Sequence, residues 1–362
     1  MNADRRLAAL RRRMADEAIS ALLVTAIPNV RYLTGFEDVF DDHAEVALLV
    51  TAEVARVYTD FRYREAAELA AEATAWTVHV PSQPLYEGLC RDVADLTAEM
   101  LAVEASMPYG RFRFISERCS GKVEVLDQWV DQARRVKEQP EIERITAAAA
   151  LTDRAFDHIL GRLAVGMRES EIALELEVYM RMNGSLGLAF EPIVASGPNS
   201  SRPHARVTER KLAEGDFVTL DFGARVEGYC SDMTRTVVMG QASDRQREIY
   251  GAVLQANQAA FEAARPGMSG TAIDSVARES LASAGLGEYF GHGLGHGVGL
   301  EVHELPSVGP RGTEPVLAGA VITIEPGVYV PGFGGVRIED LVVMEGDGCR
   351  LLSHAPKQLI EI

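Results

Sequence analysis

Asp221 and Asp232 lie eleven residues apart in FVTLDFGARVEGYCSDMTRTV (217–237). A chain reversal around Val226–Gly228 sets them roughly opposite each other on paired strands. Directly opposed residues share one face of a sheet, where two like charges destabilise unless a cation lies between them. One aspartate of a lone D-x-G would by default cap a turn; two acids at matched hairpin positions weaken that reading. The pattern recurs in VITIEPGVYVPGFGGVRIEDLVV (321–343), where Glu325 and Glu339 flank a turn centred on Pro331–Gly334 and each follows an isoleucine on an otherwise apolar strand. An ionised carboxylate in such a run is costly to bury alone. Asp340 competes with Glu339 for the inward position, but parity allows only one of them on a given face, and pairing across the hairpin favours Glu339.

Between the two patterns runs GHGLGHGVGLEVHE (291–304), with His292, His296 and His303 among alternating glycines. Four carboxylates and one imidazole form a metal-ligating set. Oxygen donors suit Mn²⁺ or Mg²⁺, and the imidazole extends the choice to Co²⁺, Zn²⁺ and Fe²⁺. Four negative charges balance two dications, which in two-metal sites sit ~3.5–4 Å apart and activate a shared water. The glycines would let backbone approach metals and substrate closely. His296 then supplies the nitrogen ligand, leaving His292 and His303 to hold substrate. A phosphate loop is excluded because no window of 291–299 reads G-x-G-x-x-G or G-x-x-x-x-G-K-[ST]. A zincin helix is excluded because the H-E-x-x-H glutamate is missing and so many glycines would not hold a helix.

These groups need a scaffold of some size, and the chain supplies one. It has 362 residues, 47% of them hydrophobic, enough for two domains with real cores. Its formal net charge of −17 argues against nucleic acid and other polyanions. The one basic cluster, Arg5, Arg6 and Arg11–Arg13, reads as a solvated helix face. No signal peptide, with its apolar core of roughly 7–15 residues, is evident at the N-terminus, and no apolar run of about 18 residues predicts a membrane span. Cys90, Cys119, Cys230 and Cys349 form no C-x-x-C pair, which predicts reduced structural thiols in a cytoplasmic protein.

Residues 1–133 read as an α/β domain. An amphipathic helix over Arg5–Ala18 precedes the strand-like runs 21–25, 46–51, 55–60, 76–80 and 101–105, with helical stretches such as 64–73 between them, a pattern for a mixed or parallel sheet. His43 and His79 are isolated there. The charged RRVKEQPEIERI (134–145) marks the junction, with Pro140 in the first turn of a helix reaching about Leu160. Residues 134–362 then read as α+β. Further helices start near Ser170, at Ser243 and at Ser269 or Thr271, and hairpin strands lie between and after them.

The segments SGPNSSRPH (196–204), LDFGARVEGYCSDMTRT (220–236), GHGLGHGVGLEVHE, ITIEPGVYV (322–330) and GGVRIED (334–340) resemble the M24 metallopeptidases of the pita-bread fold, in the branch of Xaa-Pro aminopeptidases and prolidases. DFRYREAA (60–67) is similar to their creatinase-type N-terminal domain, a domain generally lacking in bacterial methionine aminopeptidases. The resemblance implies that Asp221 binds one metal, that His296 and Glu325 bind the other, and that Asp232 and Glu339 bridge both. All five positions are filled, which disfavours the metal-free creatinase subgroup. It implies that His204, His292 and His303 contact the substrate carbonyl and stabilise the tetrahedral intermediate, and that Arg337 hydrogen-bonds near the site; His158 and His354 have no such context. Glu325 is the expected proton shuttle. The implied cofactor is a pair of divalent ions, Mn²⁺ first, with Co²⁺ or Zn²⁺ as alternatives. The implied partners are a proline-containing peptide and a second copy of the chain in a homodimer. Within the branch, the first reading is an aminopeptidase P and the alternative a Xaa-Pro dipeptidase. Behind them stand another C–N hydrolase on this fold, such as one acting on ectoine, and a non-catalytic binding protein.

Overall fold

The computed structural model describes residues 3–36, 39–95, 99–119 and 121–362. They form two units, Met1–Ala133 and Arg134–Ile362. In the first, the apolar runs become the strands Ala21–Val24, Val46–Val50, Ala55–Thr59, Thr77–His79 and Met100–Glu104. A sixth strand, Lys122–Leu126, was not separated in the sequence: it lies at the sheet edge and alternates apolar with charged residues, leaving it only half-buried. The sheet is mixed. Ala21–Val24 pairs antiparallel with Val46–Val50 and parallel with Met100–Glu104.

The N-terminal helix is Ala3–Asp16, and its arginines are not simply solvated. Arg6 is buried over the Tyr32 ring and donates to the Tyr32 carbonyl. Arg11 donates to Thr51 O, and Arg13 to Trp129 O while pairing with Glu17. Long cationic side chains lay their stems on apolar neighbours and end on carbonyls, so the basic run fastens this unit internally.

The second unit builds the same arrangement twice: two helices packed on an antiparallel hairpin. Gln139–Leu160 and Glu169–Met182 share a core with the strands Phe217–Phe222 and Met233–Val238. Asp244–Ala263 and Gly270–Ser283 share another with Val321–Ile324, Gly327–Val330, Gly334–Arg337 and Asp340–Glu345. Their starts follow local chemistry. Glu138 and Glu141 form a capping box with Pro140 in the first turn, and Ser243 and Ser269 accept from the backbone N–H groups of Gln246 and Ala272. Among the described residues no helix is long and apolar enough to cross a membrane.

Candidate active site

Each hairpin delivers one pair of acids, by a different register. The first turns at Glu227–Gly228, both in the left-handed region at φ 47° and 82°, as a two-residue hairpin turn of mirror type requires. The turn falls further along than the sequence suggested, and the ladder shifts by two residues. Asp221 lies opposite Thr234, not Asp232. A shift of two keeps parity, so Asp232 stays on the same face, diagonal to Asp221. In the second hairpin, Ile324↔Asp340 and Gly327↔Arg337 keep one register across a break, which sets Glu325 opposite Glu339. Pro326 has no N–H to give to the ladder, and there the Glu339 N–H turns instead to Thr234 O of the first hairpin at 3.1 Å. That bond ties the two hairpins together at their acids. Asp340 faces the other way, buried between Arg235 Nη2 at 3.0 Å and Lys357 Nζ at 2.6 Å.

Asp232, His296 and Glu339 each offer a ligand atom within 4.8 Å of the others. His296 Nε2 lies 3.2 Å from Glu325 and 3.6 Å from Asp232. Asp221 is held by Arg337 through one oxygen, and Glu339 receives Thr234 Oγ1 at 2.7 Å on one of its own. The second oxygens, Asp221 Oδ1 and Glu339 Oε1, are buried without a hydrogen-bond partner. Unpaired buried acceptors are costly. Burial, then the charges of Glu339, Asp221 and Glu325, pushes the Asp232 carboxyl far up. Burial, then Glu325 and Asp221, does the same to Glu339. Burial also raises Glu325, but the hydrogen bond and charge of His296 outweigh it and hold Glu325 down to about 2. Crowded carboxylates with oxygens left unfilled fit one or two hard divalent cations.

His204, His292 and His303 line the same cavity, of about 510 Å³, as these acids and Arg337. His158 and His354 lie outside it: His158 pairs with Glu175 at 2.7 Å and stacks on Tyr179. The cavity histidines are not equivalent. His292 Nδ1 is 2.8 Å from Gly293 O, which can only accept, so Nδ1 carries the proton. Its Nε2 then accepts from Tyr329 OH at 2.9 Å, and Tyr329 OH in turn receives Arg337 Nη1 at 2.7 Å. Both nitrogens of His292 are spent. His303 is exposed, rests its ring on His296 at 4.2 Å between centroids, and has no hydrogen bond among the described residues.

The alternating glycines mostly serve the chain itself. A Cβ at Gly295 or Gly297 would overlap the carbonyl of Thr323 or Leu305, and one at Gly299 the Glu304 carboxylate, which pairs with Arg134 and with Lys137 at 2.9 Å. Only Gly293 of the five faces the cavity wall with slack to spare. Gly297→Ala is therefore expected to cost about 1–3 kcal/mol as an overpacking change, read as a lower urea midpoint at unchanged slope; an unshifted midpoint would refute the crowding. The sequence gave no sign of Tyr329, Thr234 or Thr323 as partners, nor of Arg311, which lines the cavity and whose guanidinium has no carboxylate partner among the described residues.

Residues 143–345 match metallopeptidase family M24 and residues 6–136 the creatinase/prolidase N-terminal domain. A Xaa-Pro dipeptidase of Pyrococcus horikoshii is 36% identical over 96% of each chain. The structure of a Xaa-Pro dipeptidase from Bacillus anthracis superposes with a TM-score of 0.94 at 35% identity, covering 100% of both chains. That of an X-Pro aminopeptidase from Thermotoga maritima superposes at 0.87 with 36% identity, covering 99% of this chain and 100% of that one. Such agreement along the whole chain, over both units, identifies a creatinase-type domain followed by a pita-bread catalytic domain, and the protein belongs to metallopeptidase family M24.

Proposed function

We propose that the protein is a Xaa-Pro dipeptidase that hydrolyses the bond before a C-terminal proline. The observation that carries this reading is Arg311, an unpaired cation in the wall of an otherwise acidic cavity. It suits a substrate whose proline carboxylate is free, and a charge-assisted bond there fixes substrate length. The names of the relatives from Pyrococcus horikoshii and Bacillus anthracis support the dipeptidase over the aminopeptidase that the sequence put first; the Thermotoga maritima relative keeps aminopeptidase as the second reading. A non-catalytic role is disfavoured because all five candidate ligand positions are filled.

In this proposal Asp221, Asp232, His296, Glu325 and Glu339 hold the divalent ions. Bound there, such ions supply Lewis acidity, lowering the pKa of a water and polarising the scissile carbonyl. Glu325 takes the proton of the attacking water and passes it to the proline nitrogen, which as a tertiary amide carries none of its own. His303, with its nitrogens uncommitted, donates to the developing oxyanion. His292 instead holds Tyr329 and Arg337 in line, and through Arg337 keeps Asp221 oriented. His204 steadies the substrate from the opposite loop.

The test is a panel of Ala-Pro, Ala-Pro-Ala and Ala-Ala, each assayed with Mn²⁺, Co²⁺ and Zn²⁺. Ala-Pro should be cleaved best and Ala-Ala not at all. Arg311→Ala should raise KM for Ala-Pro roughly 10- to 100-fold, the worth of a hydrogen bond to a charged group, and leave Ala-Pro-Ala little changed. Preference for the tripeptide in the wild type would select the aminopeptidase instead.

A further inference from the structure

Glu169 is the first residue of the helix Glu169–Met182 and is fully buried, yet it does not line the cavity. Its carboxylate is saturated by donors from one loop. Oε1 accepts from Ser196 N and Oγ, both at 2.7 Å, and from Asn199 Nδ2 at 3.2 Å. Oε2 accepts from Asn199 Nδ2 at 3.0 Å, Thr208 N at 3.0 Å and Thr208 Oγ1 at 2.6 Å. These partners bracket the segment SGPNSSRPH, whose last residue is His204.

The other side of the loop is pinned to the second hairpin. Ser200 Oγ accepts from Gly335 N at 2.9 Å, and the Ser200 carbonyl sits where a Cβ on Gly335 would go. Pro203 O accepts from Arg337 Nη1 at 3.3 Å. The glycine pair at 334–335 and the carboxylate of Glu169 thus grip the loop from two directions, and His204 projects from the held segment into the cavity.

An apolar residue would fill the same space under the helix without the cost of burying a charge. An acceptor-only group does what an apolar one cannot: it dictates where three donor residues point. We infer that Glu169 is a positioning residue, fixing the loop 196–208 and through it the place of His204 against the substrate. The inference rests on the proposed peptidase function and on His204 touching substrate.

The test is a pair of double-mutant cycles. E169Q keeps the shape but turns a donor toward the loop's donors; T208V removes one hydroxyl and serves should E169Q fail to fold. Each is combined with H204A and assayed on Ala-Pro, with bound metal and Tm measured alongside. E169Q should lower kcat/KM by about 10- to 100-fold, the scale of a misplacement of about 1 Å, with metal content unchanged, and T208V by a smaller factor in the same direction. In the H204A background each should cost less than about threefold, because the effect passes through His204. Equal losses in both backgrounds, or wild-type activity in a folded E169Q, overturn the inference. If H204A itself is as active as wild type, the inference falls together with the role of His204. If the wild type cleaves no Xaa-Pro peptide, the proposed function fails, and the crystal structure of E169Q still decides: the loop must shift or lose order there, and an unmoved His204 overturns the inference.

Discussion

Alanine at Asp232 is expected to lower kcat on Ala-Pro by roughly 10³-fold or more, about 4 kcal/mol of barrier, in a protein that remains folded. Asp232 stands at the meeting point of the acids: Glu339 and His296 share its ligand cluster, and Asp221 lies diagonal to it on the same face. Losing it should also lower metal content, read by elemental analysis and by calorimetric titration with Mn²⁺. Glu325→Gln separates the two roles that the proposal gives to one residue. Its amide keeps one oxygen but cannot take up a proton, so turnover should fall further than metal affinity does. Turnover near the wild-type rate in the Asp232 variant would remove the acids from the chemistry altogether. Asp340→Asn is the control on the same strand: it faces Arg235 and Lys357, away from the cluster, and should disturb stability before it disturbs kcat.

The five candidate ligands were legible because charge on an apolar strand is conspicuous, and because period two tells which neighbours share a face. Parity alone separated Glu339 from Asp340, and the structure brings Glu339 to the cluster while Asp340 turns to Arg235 and Lys357. Register was harder. Whether a hairpin turns at residue 226 or 227 depends on which residues adopt positive φ, and Glu227 at φ 47° is not a residue from which that is read. The partners that orient the acids were hidden for another reason. Thr234, Thr323 and Tyr329 look like ordinary strand residues, and only the tertiary meeting of two hairpins gives their hydroxyls a task. The glycines carried the right alarm for an incomplete reason. They suggested room for metal and substrate, whereas Gly295, Gly297 and Gly299 mostly make room for neighbouring carbonyls and the Glu304 carboxylate. Glu169 opens a helix as acids often do, so nothing in the linear sequence set its buried carboxylate apart from an exposed one.

Chelation should destabilise the catalytic unit, and the loss should grow with pH. Two ions, each at about 100 times its Kd, stabilise by roughly 5 kcal/mol together, which for a unit of this size is on the order of 10–20 °C in Tm. The pH dependence follows from the direction of the shifts. In the metal-free fold, burial and then neighbouring acids raise Asp232 and Glu339 far above ordinary carboxyl values. Between the ordinary value and the raised one, the folded state holds protons that the unfolded chain has released. Its stability therefore falls as pH rises through that window and is recovered below it. The metal-loaded fold behaves oppositely, because ligands must shed protons to bind, so its advantage shrinks on acidification. The gap in Tm between loaded and chelated protein should widen from about pH 5 to about pH 8. D232N removes one crowded charge, so the chelated variant should melt higher than the chelated wild type at the alkaline end, even though it binds metal poorly. A gap that stays flat across this range, or a chelated D232N that melts below the chelated wild type at about pH 8, would mean that the four carboxylates do not repel one another as their burial requires.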